Sequence, residues 1–345
     1  NVKMVGRSFE QGTVRWFALS GSGISFRFRG KKLMLDFVGD NTTQGLKTEG
    51  SARIGIYIGT ERVVDMMLKE QQKQITVIDG SDTQTVEIRV IKLSEAPMSM
   101  FGIAAIETDE EANIAPLPKL LRKIEIIGDS ITCGYGVDSE DPNTEFTTET
   151  EDVTRSYSYK LANKLSADYS MVSYSGYGII SGYTDDDIAK PQQCIPLYYE
   201  KMGYSDAAVD GKVQPQNIPW DFDRFKPDVI VINLGTNDDS SCQDVVERQE
   251  HFAELYVEFL EMVRRNNPTA TILCVVGTMG ERIYDFVHAA VVEYRRQFND
   301  LKVYDQRVSE QLPEDGLVSS SHPTERTHEK VAECLAVTIR KIMSW

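Results

Sequence analysis

The sequence predicts an α/β chain in two domains: an all-β jelly-roll sandwich over residues 1–118, then a three-layer, doubly wound α/β domain with a parallel sheet over residues 119–345. Three observations carry this. The first third is a series of short β-rich runs broken by glycine and polar turns, with helix signals nearly absent. The remainder alternates apolar runs of strand length with amphipathic stretches. Between them lies Thr108 to Lys119, TDEEANIAPLPK, in which Pro116 and Pro118 remove backbone donors and favour an extended connection. At 345 residues the chain is also long for a single core.

Eight runs make up the first domain: TVRWFALS, GISFRFRG, KKLMLDFVG, ARIGIYIG, RVVDMML, KQITVIDG, QTVEIRVIKL and FGIAAIE. In GISFRFRG the apolar Ile24, Phe26 and Phe28 alternate with Ser25, Arg27 and Arg29, the period of a strand with one wet face. In the second domain KIEIIGDS, YSMVSYSG, DVIVINLGTND, TILCVVGT and LKVYDQRV read as parallel strands buried on both faces. Helices are expected over Asp244 to Asn267, where Phe252, Leu255, Tyr256, Phe259, Leu260 and Val263 form one stripe, over Glu281 to Phe298, and from Pro323 to Met343. The stretches Asp138 to Arg155 and Ser181 to Trp220 are less periodic and read as long functional loops.

Composition narrows the function. A net charge of −16 disfavours nucleic acid and anionic membrane partners and suits a neutral or cationic substrate. Cys133, Cys194, Cys242, Cys274 and Cys334 show neither C-x-x-C nor metal-ligand spacing and read as free thiols, mostly core fillers. Such usage points to a reducing cytoplasm; a leader removed before Asn1 would instead place the chain outside the cell. No P-loop, G-x-G-x-x-G, H-E-x-x-H or G-x-S-x-G is present, so neither a nucleotide cofactor nor a metal is expected, and an α/β-hydrolase elbow has no anchor. Whether the chain forms a homo-oligomer is open.

Three motifs fall where strands end: Gly-Asp-Ser at 128 to 130, Gly-Thr-Asn-Asp at 235 to 238, and His322-Pro323 before the last helix. A doubly wound sheet gathers the carboxyl ends of its strands at one edge. A serine hydroxyl needs a base within hydrogen-bond reach to become a nucleophile, and His322 is the base available to Ser130. An acyl-transfer oxyanion needs donors, which the Ser130 amide, the Asn237 side chain and a glycine amide would supply, Gly178 by preference and Gly176 next. Each motif alone has a bland reading: Gly-Asp-Ser as a capped turn, Asn237 or Asp238 as a helix cap, Pro323 as a helix-starting proline. Asp129 reads as ordering its turn and Cys133 as core.

This set resembles the SGNH, or GDSL, hydrolases over residues 123–345, with Ser130, Gly178, Asn237 and His322 in the four named blocks. With a jelly roll in front, the chain resembles carbohydrate esterase family two. That resemblance implies a metal-independent serine esterase, of acetyl xylan esterase type, removing O-acetyl groups from plant cell-wall polysaccharide or oligosaccharide through an acetyl-enzyme. With such a substrate Tyr135, Tyr177 and Trp220, near the expected active-edge loops, could stack on sugar rings, though core packing is the commoner role for such residues. One position departs from the pattern: the usual D-x-x-H-P is VSSSHP here, with Ser319 in place of the aspartate. Three explanations compete: a backbone carbonyl orienting His322, as in some family-two members; Asp315 reaching in; or weakened catalysis. The first is favoured. Alternatives for the whole are a carbohydrate-binding protein on a degenerate esterase scaffold, or a lipase or thioesterase. His328 matches the second histidine of the family's final block and reads as packing or capping; His251 and His288 lie on expected helices away from the strand ends.

Overall fold

The structure, a computed structural model, describes residues 2–44, 50–186 and 188–345; Asn1, residues 45–49 and Asp187, the last within the 181–220 stretch, lie outside it. Two compact units result. The first comprises residues 1–119, 147–153 and 201–220, the second residues 120–146, 154–200 and 221–345.

In the first unit the strands are β1 (Lys3–Val5), β2 (Phe9–Gln11), β3 (Val14–Phe17), β4 (Gly23–Gly39), β5 (Ala52–Ile58), β6 (Glu61–Leu68), β7 (Gln72–Lys92), β8 (Phe101–Thr108) and β9 (Asn113–Pro116). Among the described residues they form one antiparallel sheet ordered β2-β3-β8-β4-β7-β5-β6, with β1 and β9 both paired to β4. Ile24, Phe26 and Phe28 enter its core while Arg27 and Arg29 stay exposed; Ser25 is buried as well. Each fully buried phenylalanine contributes about 1.5–3 kcal/mol.

Two expectations change here. GISFRFRG and KKLMLDFVG are one strand, β4, and KQITVIDG and QTVEIRVIKL are likewise one strand, β7, which pairs with β4 along most of its length. Gly30 marks a register shift rather than a turn: a Cβ there would stand 2.6 Å from Phe28 and 2.7 Å from Ala112. The proline-bearing stretch is extended but not merely connecting, since Asn113–Pro116 pairs with Phe26 to Arg29 of β4. A proline tolerates the end of such a short edge strand. Segments 147–153 and 201–220 join this unit through backbone groups. Thr148 Oγ1 donates to the Ser51 carbonyl, the Val153 N–H to the Leu93 carbonyl, and the Ala208 N–H to the Asn41 side chain.

The second unit holds β10 (Arg122–Gly128), α1 (Ser130–Cys133), α2 (Tyr157–Lys164), β11 (Ala167–Ser173), β12 (Val229–Asn233), α3 (Thr236–Cys242), α4 (Val246–Asn266), β13 (Thr271–Val276), α5 (Tyr284–Phe298), β14 (Val303–Arg307) and α6 (Glu325–Met343). Its sheet is parallel throughout, in the order β11-β10-β12-β13-β14. From β10 the chain crosses one way to β11 and from β12 the other way to β13, so right-handed crossovers put α2 and α4 on opposite faces. Helix α6 packs beside α2 and α5 beside α4, completing three layers. The winding reverses between β10 and β12, the place where such sheets open a crevice. Each expected helix begins two or three residues late. His322-Pro323 does not start α6 but pairs antiparallel with Leu317–Val318, and Thr324 takes the N-cap position.

Cys133, Cys194, Cys242 and Cys274 are buried and Cys334 is exposed; none is in a disulfide, and the Cys133 thiol donates to Ser173 Oγ. Among the described residues no helix is long and apolar enough to cross a membrane.

Candidate active site

Strand β10 ends at Gly128 because nothing larger fits: a Cβ there would lie 2.0 Å from the Thr132 hydroxyl. Asp129 follows in extended conformation as the N-cap of α1, its Oδ1 accepting the Ile131 N–H at 3.0 Å. Ser130 is therefore the first residue of a helix, where an N–H has no carbonyl four residues earlier to bond. Gly134, left-handed at φ 81°, ends this single turn.

The Ser130 hydroxyl donates to His322 Nε2 at 2.8 Å, across 192 residues of sequence. On the opposite side of the ring, His322 Nδ1 lies 3.2 Å from both the Ser319 and the Ser320 carbonyl oxygens. Carbonyls only accept, so Nδ1 carries the proton and Nε2 is left as acceptor. Burial pushes the His322 pKa down to about 4, against the upward pull of the Ser320 and Ser319 carbonyls.

The turn presenting those carbonyls is bent: Ser320 and Ser321 are left-handed, at φ 52° and 60°, a region that costs a non-glycine residue on the order of 1 kcal/mol. It is tied to the 138–146 loop. The Ser319 N–H donates to Ser139 Oγ at 2.7 Å, Ser319 Oγ to the Thr144 carbonyl and the Ser320 N–H to the Pro142 carbonyl at 2.9 Å. Ser319 thus occupies the aspartate position with its side chain turned away from the imidazole and its backbone turned toward it. Asp315 does not reach in. Its carboxylate pairs with Arg326 at 2.8 Å and Lys330 at 2.5 Å, two cations of α6, and is spent there.

Asn237 lies in the first turn of α3. Its Nδ2 donates to the Tyr177 carbonyl at 2.8 Å and toward Asp129 Oδ2 at 3.3 Å, linking the ends of β10, β11 and β12. Burial pushes Asp129 up to about 7; the Ile131 amide opposes the rise and the charge of Asp238 adds to it. The helix is capped by neither Asn237 nor Asp238, since Gly235 (φ 129°) holds that position. Asp238 instead accepts the Ile180, Ile179 and Ser181 N–H groups at 2.7, 2.9 and 3.1 Å, which fixes the loop after β11. Burial still lifts Asp238 to about 6 despite those amides.

Gly178 and Gly176 differ in what their backbone groups already do. Gly178 donates its N–H to the Gln193 carbonyl at 3.1 Å and accepts from the Ile195 N–H, so both of its backbone groups are used. A Cβ on it would meet the Ser181 carbonyl at 2.2 Å. Gly176, left-handed at φ 79°, has open space where a Cβ would be and donates its N–H to no group among the described residues. It is the glycine of this loop with an amide to offer.

Expected sugar platforms are otherwise engaged. Tyr177 is buried against Tyr174 and Tyr198, and Trp220 is buried under the Arg7 guanidinium. Tyr135 stacks on His322. His328 is buried beside Tyr157, while His251 and His288 are exposed on α4 and α5.

A doubly wound sheet with Ser130, Asn237 and His322 gathered at its reversal point, and a glycine loop beside them, defines the SGNH class of α/β fold. The chain belongs to the GDSL-like lipase/acylhydrolase family, whose model matches residues 126–329, and a carbohydrate esterase 2 N-terminal model matches residues 4–118. Among curated relatives it is similar to cellulase/esterase CelE of Acetivibrio thermocellus, at 28% identity over 329 residues, covering 94% of this chain and 38% of that protein. An acetylxylan esterase / glucomannan deacetylase of Cellvibrio japonicus is 27% identical over 339 residues, 94% of this chain and 86% of that one. The chain therefore spans well under half the length of CelE. Among solved structures, a family two carbohydrate esterase from Clostridium thermocellum in complex with cellohexaose aligns over 100% of both chains at TM-score 0.86 and 26% identity. The fold is also that of an acetyl xylan esterase (Est2A) from Butyrivibrio proteoclasticus, with TM-score 0.88, 22% identity and coverage of 100% and 96% of the two chains.

Proposed function

We propose that this chain is a metal-independent serine esterase that removes O-acetyl groups from plant cell-wall polysaccharide or oligosaccharide. The observation that carries the reading is the 2.8 Å bond from Ser130 to a His322 whose far nitrogen is already committed as a donor. His322 takes the serine proton as Ser130 Oγ attacks the acetyl carbonyl, then returns that proton to the departing sugar oxygen. Water, deprotonated by the same imidazole, releases acetate from the acetyl-enzyme. The Ser130 N–H, the Gly176 N–H and Asn237 Nδ2 receive the oxyanion, the last exchanging its longer bond to Asp129 for one to substrate. Two neutral carbonyls hold the tautomer as a carboxylate would but stabilise imidazolium less. The intact serine–histidine bond favours an esterase over a carbohydrate-binding protein on a degenerate scaffold, and the polysaccharide-directed names of the full-length relatives support an acetylated glycan over a lipid.

Acetate release from acetylated xylan, xylo-oligosaccharides and glucomannan, compared between wild type and Ser130→Ala, tests this. Release by wild type and none above background from the variant is expected; equal rates would overturn the esterase reading.

A further inference from the structure

Among the described residues His322 has no carboxylate partner, yet its ring is not held by its edge alone. The Tyr135 ring lies over it at 4.2 Å between centroids and 29° between planes, and Phe146 lies on Tyr135 at 3.9 Å and 11°. We propose that Tyr135 is a positioning residue for His322, supplying the flat face that sets the tilt of the imidazole and shares its positive charge during turnover. This rests on the esterase reading and adds to it the question of what replaces the missing acid.

Bonds at Nδ1 and Nε2 lie in the ring plane and fix its two ends. Rotation about the line joining those nitrogens is left to contacts on the ring faces, and the Tyr135 ring occupies one of them. When the imidazole takes the serine proton, its charge forms over an aromatic face within the range of a cation–π contact. With His322 on one face and Phe146 on the other, Tyr135 has no face left for a sugar. The local sequence builds this approach. Gly134 turns the chain out of α1, and Gly136, at φ 61°, has no Cβ to meet that of Ser319, which would lie 2.5 Å away. The turn carrying the two carbonyls can thus settle against Tyr135.

The test compares Tyr135→Phe, which keeps the face, with Tyr135→Leu and Tyr135→Met, which fill the space without one. Two readouts are taken: kcat and KM on p-nitrophenyl acetate, and the His322 ring signal in protein labelled at histidine, where only four histidines need assigning. The phenylalanine variant is expected to keep kcat within about threefold and the His322 signal at its ring-current-shifted position. The leucine and methionine variants are expected to lose about tenfold in kcat, the worth of one desolvated cation–π contact, with KM nearly unchanged and the shift abolished. Wild-type kcat in the leucine and methionine variants, a loss confined to KM, or an equal loss in the phenylalanine variant would overturn the proposal, as would an unshifted His322 signal in wild type. The spectrum needs no turnover, so a protein inert toward esters would sink the esterase reading while the stack was still judged on its own signal.

Discussion

Restoring the absent acid by Ser319→Asp is expected to damage the protein rather than repair a triad. The Ser319 side chain is fully buried, its hydroxyl donates to the Thr144 carbonyl, and its Cβ faces Gly136 at a distance that excludes another carbon. A carboxylate there confronts a carbonyl oxygen, loses a hydrogen bond of about 1 kcal/mol and leaves a buried charge unpaired. Together these amount to roughly 3–5 kcal/mol, which lowers Tm by about 6–20 °C in a domain of this size. Because the new group points away from the imidazole, kcat/KM on p-nitrophenyl acetate falls or holds, and does not rise. Ser319→Ala is the control: it gives up only the Thr144 bond, about 1 kcal/mol, and keeps both carbonyls, so its turnover stays within a few-fold of wild type. Thermal unfolding monitored by circular dichroism, with initial rates at neutral pH, gives both quantities. An aspartate variant with wild-type Tm and faster turnover would mean that side chain 319 faces His322, and the assignment of the carbonyls would be wrong.

Two further outcomes are expected from the same geometry. Gly178→Ala forces a Cβ against the Ser181 carbonyl and the Asp238 carboxylate and is expected to lower both Tm and activity, whereas Gly176→Ala meets open space and costs about 1 kcal/mol for its left-handed backbone; equal tolerance at the two positions would refute the separation of their roles. His322 works as a base when neutral, and burial places its pKa near 4 rather than the ordinary 6.5, so kcat/KM is expected to hold as pH falls through 6.5 and to drop only toward 4. A rate profile from pH 8 to 3.5, with circular dichroism confirming the fold at each point, checks this, and a limb near 6.5 would contradict it.

The parts of this site visible in the sequence are those in which a side chain sits at the end of a buried parallel strand. Ile124 to Ile127 and Val229 to Ile232 read as strands because both faces are covered, and the residues just beyond each strand then lie at one edge of the sheet. Helix α4 is legible in its stripe from Phe252 to Val263 for the same reason. The hidden parts belong to the backbone. That the Gly178 amide is used by Gln193 depends on a segment whose path no motif announces. The orienter of His322 is a pair of carbonyls, a group every residue possesses, so serine in place of aspartate reads as a loss. Gly30 resembles a turn residue because a bulge and a turn both favour glycine, and only the partner strand distinguishes them.

Asp238 ties three successive amides of the loop after β11 to the first turn of α3. One consequence is mechanical. To carry residues 179–181 away from the crevice, three amide bonds to one carboxylate would have to break together, so this stretch of the rim is anchored to a helix rather than hung as a flap.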